Sequence, residues 1–180
     1  MAHKIVITGS PGCGKSTLIN RLIDFISKEQ KFTIQGFITP EVREYNKRIG
    51  FDIEDITIGS KIPFARVGNF NSDKKVGKYT VFIDKFDFYI SRLERFVEDP
   101  LTVFLIDEIG KMELFSNKFK IFIKKLFTNN HTIIATMGQT LHHPIKDYIR
   151  TVPNIRFFLL TRENQHQIFE KVKIIIVKQF

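Results

Sequence analysis

The sequence contains a single cysteine, Cys13, and no long run of apolar residues. One cysteine cannot form a disulfide within the chain, which argues against a disulfide-stabilised secreted domain. The longest aliphatic run is Ile174–Val177, far short of the roughly 18 consecutive apolar residues of a membrane span. Residues 1–4 lead directly into an apolar strand pattern, so we expect no signal peptide. These absences predict a cytoplasmic protein with no membrane segment.

The chain also lacks any block of five or six like charges, although its formal net charge is +9. Basic residues outnumber acidic ones by eight to seven in residues 1–60, by 13 to nine in 61–130 and by seven to three in 131–180. The densest basic cluster lies on the expected solvent face of one helix and comprises Lys118, Lys120, Lys124 and Lys125. A spread excess of this kind attracts polyanions at low salt but does not predict a dedicated nucleic-acid site.

A glycine-rich motif near the N-terminus is the most specific signal in the sequence. Residues 9–17 fit the pattern G-x-x-x-x-G-K-[ST] and stand between an apolar run, 4–8, and a helical pattern. The motif consists of Gly9, Ser10, Pro11, Gly12, Cys13, Gly14, Lys15, Ser16 and Thr17. Its glycines let backbone N–H groups point into one concavity, which binds phosphate oxygens beside the positive end of the next helix. We therefore predict a nucleoside-triphosphate site in which Lys15 reaches the β- and γ-phosphates and Ser16 coordinates Mg²⁺.

Strand-like and helix-like patterns alternate along most of the chain. Predicted strands cover 4–8, 34–39, 49–58, 61–67, 78–83, 101–106, 131–136 and 155–160. The first predicted helix follows residue 17, and three more begin at Asp84, Ser116 and Thr161. Asp84 and Ser116 are the predicted N-caps of their helices. Strands separated by helices predict a three-layer α/β fold with a mostly parallel sheet, in a single domain over residues 1–180.

The region between the first helix and residue 78 has a different character. Its three predicted strands follow one another without helices, which predicts an antiparallel hairpin or meander inserted early in the fold. Residues 68–78 are rich in glycine, asparagine and serine and are typical of a mobile loop.

Two acidic residues, Asp107 and Glu108, directly follow the apolar run at 101–106. An acidic group at a strand end can hold Mg²⁺ from the side opposite Ser16, and we assign this role to Asp107 through a bound water. A second carboxylate just beyond it can orient and deprotonate a water aimed at the γ-phosphorus, which makes Glu108 the candidate catalytic base. The alternative is an acidic pair that caps a helix, but the upstream phosphate motif favours hydrolysis.

The segment around this acidic pair resembles the small nucleoside-triphosphatase family that includes thermophile enzymes and the human cancer-related nucleoside-triphosphatase. The likeness covers nearly the whole chain, including Gly36-Phe37, Glu41-Val42-Arg43, His143-Pro144 and residues 160–164. Its Walker B segment is Val103, Phe104, Leu105, Ile106, Asp107, Glu108, Ile109 and Gly110. The resemblance implies a RecA-like sheet with another strand between the Walker A and Walker B strands. It also implies Mg²⁺-dependent removal of the γ-phosphate from several nucleoside triphosphates, including ATP and GTP, with low base selectivity.

Several positions keep two interpretations. Gln139 is a weak candidate for a polar sensor, and Arg43, Arg48 and Lys111 are each either surface charges or cations that approach the γ-phosphate. Cys13 is either an inert small side chain or a thiol whose alkylation blocks nucleotide binding.

Other functions are compatible with parts of the sequence. The pair His142-His143 before Pro144 favours a turn or helix start over a zinc site, because no set of spaced ligands accompanies it. The phosphate motif and the chain length would also suit a kinase for a nucleoside or another small acceptor, with residues 66–78 as a lid. A nucleotide-switched module that binds RNA or a protein partner is the third function that the basic excess leaves open.

Overall fold

A computed structural model describes residues 2–29 and 31–178, which form ten strands and five α-helices. The strands are β1 (Lys4–Gly9), β2 (Thr33–Ile38), β3 (Glu41–Glu44), β4 (Lys47–Asp55), β5 (Lys61–Val67), β6 (Lys75–Val76), β7 (Tyr79–Val81), β8 (Thr102–Ile109), β9 (Thr132–Gly138) and β10 (Ile155–Leu159). The helices are α1 (Lys15–Lys28), α2 (Ile83–Leu93), α3 (Asn117–Thr128), α4 (Pro144–Thr151) and α5 (Gln165–Val177). Within the described ranges, no helix is both long and apolar enough to cross a membrane.

All ten strands join one sheet in the order β10-β1-β9-β8-β2-β4-β5-β7-β6, with β3 paired to β4. The central strands from β10 to β2 are parallel, and the strands beyond β2 pair antiparallel. The prediction of a mostly parallel central sheet with an early antiparallel insertion is therefore confirmed. Strand β9 lies between β1 and β8, as the family resemblance implied.

Helices cover both faces of the parallel strands, which makes the fold three layers deep. On one face α1 and α5 bury residues such as Leu18 and Ile168, and on the other α2, α3 and α4 bury aromatic and aliphatic side chains. Strand β8 supplies both layers, since Leu105 points into the first core and Phe104 into the second. Such double-sided burial explains why this strand reads as an unbroken apolar run. Phe86 of α2 and Phe119, Phe122 and Phe127 of α3 are buried in this second core.

Two helix starts show where the local sequence pattern agrees with the structure and where it does not. Ser116 is the N-cap of α3, as predicted, because its Oγ accepts a hydrogen bond of 2.8 Å from the Phe119 amide. The prediction that Asp84 is an N-cap is wrong: α2 starts at Ile83 after an N-cap at Phe82 that makes no side-chain bond. The helix starts directly after the short strand β7, so Asp84 lies in its first turn. There its negative charge interacts favourably with the helix dipole.

Helix α5 begins four residues later than predicted, at Gln165 instead of Thr161. The delay has a local cause, because Asn164 Oδ1 accepts a hydrogen bond of 2.8 Å from the Thr161 amide and closes a turn before the helix. His143 caps α4 through Nδ1, which accepts from the Ile145 amide at 3.1 Å, so the helix-start interpretation of that segment is confirmed.

The inserted meander differs in detail from the sequence pattern. Strand β3, which is charged and largely exposed, was not predicted, and it forms a hairpin with β4 through Tyr45 and Asn46. Both turn residues have positive φ angles, 46° and 63°, as hairpin turns of this length require. The segment 68–78 is only partly a loop, since Lys75–Val76 forms β6.

Candidate active site

The glycine-rich motif forms the turn between β1 and α1, at the carboxyl edge of the parallel sheet. Gly12 and Gly14 have φ angles of 73° and 100°, which disfavour any residue with a Cβ. At Gly9 an added Cβ would lie 2.7 Å from the carbonyl oxygen of Leu160. The glycine positions of the motif are therefore required by backbone shape and by close packing, so the amides of the loop stay accessible from above.

Lys15 folds back over this loop. Its Nζ donates hydrogen bonds of 3.1 Å to the carbonyl oxygens of Gly9 and Ser10. This places a cation at the mouth of the concavity of amides, in the position where the sequence motif predicts a contact with the terminal phosphates.

The acidic pair lies across the same cleft, because β8 runs on to Ile109, past the predicted end at residue 106. Asp107 is 4% exposed, and one of its carboxylate oxygens accepts a hydrogen bond from Thr136 Oγ1 of β9. Its backbone carbonyl accepts a hydrogen bond of 2.8 Å from Thr39 Oγ1, just beyond β2. Side chains from the two neighbouring strands thus hold this residue in one orientation.

Lys15, Ser16, Asp107 and Glu108 line one cleft of about 950 Å³, so the structure brings the predicted catalytic and metal-binding residues together. Other predicted motif residues that line it are Pro11, Gly12, Gly14, Thr17 and Gly110. The remaining motif residues support the site from outside the cleft. Of these, Val103, Phe104, Leu105, Ile106, Ile109 and Cys13 are buried in the two cores, while Gly9 and Ser10 accept the hydrogen bonds of Lys15.

A third carboxylate, Glu113, lies next to Glu108 and was not singled out from the sequence. Carboxylate oxygens of both residues lie 2.7 Å from the point that a Cβ on Gly110 would occupy, so they are at most twice that distance apart. Glu113 is 3% exposed, and its other oxygen lies within hydrogen-bond distance of Thr39 Oγ1, at 3.4 Å. A side chain at position 110 would have to displace both carboxylates, so glycine lets them approach each other.

Burial and neighbouring negative charges shift both carboxylates toward the neutral form. Burial, with Glu108 as the next cause, raises the pKa of Glu113 to about 8. Burial and the neighbouring Asp107 also raise the pKa of Glu108, while the charge of Lys15 opposes the shift. The pair therefore carries less negative charge near neutral pH than two exposed glutamates would.

The inserted meander forms the far wall of the cleft. Arg48 Nε donates to the Tyr79 hydroxyl at 2.9 Å, and Arg48 Nη1 donates to Glu41 Oε1 at 2.6 Å. The guanidinium carbon of Arg48 lies 5.2 Å from the centroid of the Phe51 ring. Of the three candidate cations, Arg48 and Lys111 line the cleft, whereas Arg43 is not among the lining residues and pairs with Glu41.

The loop after β9 contributes backbone and small side chains, not the amide side chain considered from the sequence. Gly138 and Thr140 line the cleft, whereas Gln139 is exposed and is not among the lining residues. Lys146 Nζ donates to the carbonyl oxygens of Gln139 and Leu141, at 2.8 and 3.1 Å. This buried lysine fixes the shape of the loop that carries Thr140.

The oxygen donors in the cleft fit a magnesium ion. Mg²⁺ in phosphate-binding sites is held by one or two protein oxygens together with substrate phosphates and waters, and Ser16 and Asp107 supply such oxygens. Among residues 2–29 and 31–178 no group of three or more His, Cys, Asp and Glu side chains has the arrangement of a metal cluster. The donor set is therefore that of a shared protein–substrate ion site rather than an all-protein cage.

Comparisons with known proteins agree with this geometry. The profile of a family described as NTPase matches residues 4–173. The nucleoside-triphosphatase THEP1 of Aquifex aeolicus is 38% identical over 177 residues, covering 94% of this chain and 96% of that protein. The THEP1 of Methanopyrus kandleri is 32% identical over 96% of this chain and 94% of its own length.

Two solved structures share the whole fold. The crystal structure of THEP1 from Aquifex aeolicus superposes with a TM-score of 0.80 at 36% identity, over 94% of this chain and 96% of that one. The solution structure of a human cancer-related nucleoside triphosphatase gives a TM-score of 0.76 at 30% identity, over 97% of each chain. The aligned residues include both the parallel strands and the antiparallel strands of the sheet.

Proposed function

The chain belongs to the NTPase family and hydrolyses nucleoside triphosphates, and from that premise we propose how its residues carry out the reaction. A water molecule attacks the γ-phosphorus in line with the oxygen that bridges to the β-phosphate. The bond from the γ-phosphorus to that bridging oxygen breaks, and a nucleoside diphosphate and inorganic phosphate leave. The observation that supports this scheme is the single cleft shared by Lys15, Ser16, Asp107 and Glu108.

Glu108 is the proposed base. Its carboxylate orients the attacking water and accepts the proton that the water loses as the new P–O bond forms. The raised pKa of Glu108 makes its ionised form a stronger base than an exposed glutamate. The charge of Lys15 opposes this shift and so favours the ionised form that accepts the proton.

Lys15 and the amides of residues 9–17 are the proposed electrostatic stabilisers. Negative charge grows on the bridging oxygen and is spread over the γ-phosphoryl oxygens in the transition state. When a triphosphate occupies the loop, Lys15 exchanges its bonds to the Gly9 and Ser10 carbonyls for bonds to these oxygens. Because the amides are already aligned by the glycines, they need little rearrangement to stabilise that charge.

P-loop nucleoside-triphosphatases generally use Mg²⁺, and we assign the same ion to this chain. Ser16 would bind it directly and Asp107 through a water, with Thr136 holding the aspartate in place. When bound, the ion would neutralise charge on the β- and γ-phosphate oxygens. These ligands are oxygens of the type that Mg²⁺ prefers.

The substrates are nucleoside triphosphates, and we propose low selectivity among bases, with both ATP and GTP hydrolysed. A single-domain, cytoplasmic enzyme is the setting that composition and length favour. A nucleic-acid partner receives less support, because the basic excess forms no block of like charges and two of the four lysines in the α3 cluster already have partners within the protein. Lys118 donates to Ser91 Oγ at 2.6 Å and Lys125 pairs with Glu98 at 3.7 Å.

A phosphate-release assay on a panel of nucleoside triphosphates tests the proposal. We expect Glu108→Gln to bind nucleotide as the wild type does but to lower kcat by a factor on the order of 100 or more. Lys15→Ala should lose both binding and turnover, and EDTA should abolish turnover until Mg²⁺ is restored. Glu98→Gln, an exposed glutamate exchanged in the same way, is the control. Undiminished turnover by Glu108→Gln would remove this residue from the mechanism.

Transfer of the γ-phosphate to a small hydroxyl-bearing acceptor is the second candidate function. It is favoured by the far wall of the cleft, where Arg48, Phe51 and Tyr79 extend the site beyond the acidic pair. Val76 and Gly77, from the segment 66–78 that a kinase would use as a lid, also line the cleft. Adding nucleosides to the assay separates the two functions, because transfer would reduce phosphate release and yield a phosphorylated acceptor. Unchanged phosphate release without a new product would exclude transfer and leave hydrolysis as the supported function.

A further inference from the structure

The segment 161–165, between β10 and α5, lies directly beside the phosphate-binding loop. Strands β10 and β1 are parallel neighbours, so their carboxyl ends meet at one edge of the sheet, where the Leu160 amide donates to the Thr8 carbonyl at 2.7 Å. Gln165 Nε2 then donates to the carbonyl oxygen of Cys13 at 2.9 Å. Segment 161–165 is thus bonded to the loop that binds phosphate, although it lies outside the cleft described above.

The order of the strands determines the direction in which a bound nucleotide extends. In the proposed mechanism its γ-phosphate end lies toward Asp107 and Glu108 on β8, and β9 separates that strand from β1. Strand β10 lies on the opposite side of β1. A triphosphate bound along the loop with its terminal phosphate toward β8 therefore directs its ribose and base toward β10 and segment 161–165.

Arg162 is the side chain of this segment that reaches over the loop. Its Nη2 lies 3.8 Å from the point that a Cβ on Gly12 would occupy. The residue is exposed, and no ion pair among the described residues engages its guanidinium. A planar cation is thus placed beside the loop on the side where the nucleoside leaves it.

The backbone that carries Arg162 is held in a fixed turn. Asn164 Oδ1 accepts from the Thr161 amide at 2.8 Å, and Asn164 Nδ2 donates to the Leu159 carbonyl at 2.9 Å. A fixed turn removes the cost of ordering the backbone when the side chain that it carries binds a ligand. Its planar guanidinium stacks on aromatic rings, and every nucleobase offers such a face.

We propose that Arg162 contacts the nucleoside part of the bound nucleotide, with its guanidinium stacked on the base. The inference rests on the proposed role of residues 9–17 in binding the phosphates. Stacking needs no particular pattern of donors and acceptors on the base edge, so this contact serves purine and pyrimidine nucleotides alike. It gives a physical reason for low base selectivity.

Calorimetric titration with Mg·ADP and with Mg·pyrophosphate tests this assignment, because only ADP carries a nucleoside. We expect Arg162→Ala to raise the Kd of ADP about five- to tenfold and to leave that of pyrophosphate unchanged. Arg162→Lys keeps the charge but not the plane, so it should recover only part of the ADP affinity. The control is Arg156→Ala, an exposed arginine of β10 that interacts with His3 and lies away from the loop.

The other outcomes separate this inference from the proposed function. An equal loss of ADP and pyrophosphate binding in Arg162→Ala would show a phosphate contact instead, and unchanged binding of both would show no contact. Either result overturns the assignment. Lys15→Ala should lose both ligands, and if it kept them the role of the loop would fail first. Unchanged thermal unfolding of each variant shows that the fold is intact.

Discussion

The buried carboxylate of Glu113 leads to a prediction about stability. Glu113 has no cationic partner among the described ion pairs and lies beside Glu108, so its pKa in the folded protein is about 8 against an ordinary value of 4.5. Below the ordinary pKa it is protonated in both the folded and the unfolded chain. As the pH rises, the unfolded chain releases this proton first, which favours unfolding until the folded form also ionises near pH 8.

The magnitude follows from the separation of the two pKa values. At pH 7, about 2.5 pH units above the ordinary pKa of a glutamate, the folded protein still holds this proton. At roughly 1.4 kcal/mol per pH unit, this lowers the free energy of unfolding by about 3 kcal/mol. Glu113→Gln removes the titration but keeps a polar side chain of the same shape that can bond to Thr39. We therefore compare the unfolding free energy of the variant with that of the wild type at two pH values. This difference should favour the variant by up to about 3 kcal/mol more at pH 7 than at pH 4.

Urea unfolding of wild type and Glu113→Gln at several pH values between about 4 and 8 measures this difference. The gap in unfolding free energy should grow steadily as the pH rises through this window. Glu44→Gln, an exposed glutamate of β3, is the matched control and should show no comparable trend. A gap that stayed constant from acid to neutral pH would refute the claim that Glu113 is held neutral in the folded protein.

Two further predictions concern the supports of the site. Thr136→Val removes the hydroxyl that donates to Asp107, so we expect a higher Mg²⁺ concentration for half-maximal activity and a stability loss of about 1–3 kcal/mol. Unchanged Mg²⁺ dependence, with Thr128→Val at the exposed end of α3 as the control, would contradict this. Cys13 is 3% exposed and packs among core residues, so its thiol should react slowly with iodoacetamide in the folded protein and fully in guanidinium. Rapid labelling of the native protein would show that the thiol is accessible and would revive the expectation that alkylation blocks nucleotide binding.

The parallel half of the fold could be predicted from the sequence because its signals are local. The strand β8 is apolar on both faces, and helices such as α3 carry an apolar stripe and a capping residue, Ser116. The meander was less predictable, because β3 and β6 are short and charged and owe their conformation to pairing with β4 and β7. Asp84 shows the limit of capping rules, since the place where α2 starts is set by the preceding strand.

The site divides in the same way. Lys15, Ser16, Asp107 and Glu108 belong to compact motifs, so spacing alone identified them. Thr136 donates to Asp107, which lies 29 residues earlier in the chain, and Glu113 meets Glu108 beside Gly110. A sequence pattern indicates neither contact. Glu113 begins a short 3-10 helix, Glu113–Phe115, and only its burial marks it as unusual.

The placement of Glu113 connects the stability of the protein with its chemistry. A buried glutamate that costs about 3 kcal/mol at pH 7 lowers the stability of a fold whose total margin is typically about 5–15 kcal/mol. Its carboxyl bonds to Thr39, which in turn donates to the backbone of Asp107, so it braces the strand end that carries the acidic pair. Because it is held mainly neutral, it does so without adding a full negative charge to the proposed triphosphate site. A charged Glu113 would repel both Glu108 and an anionic substrate, so the burial that raises its pKa also limits the negative charge in the cleft.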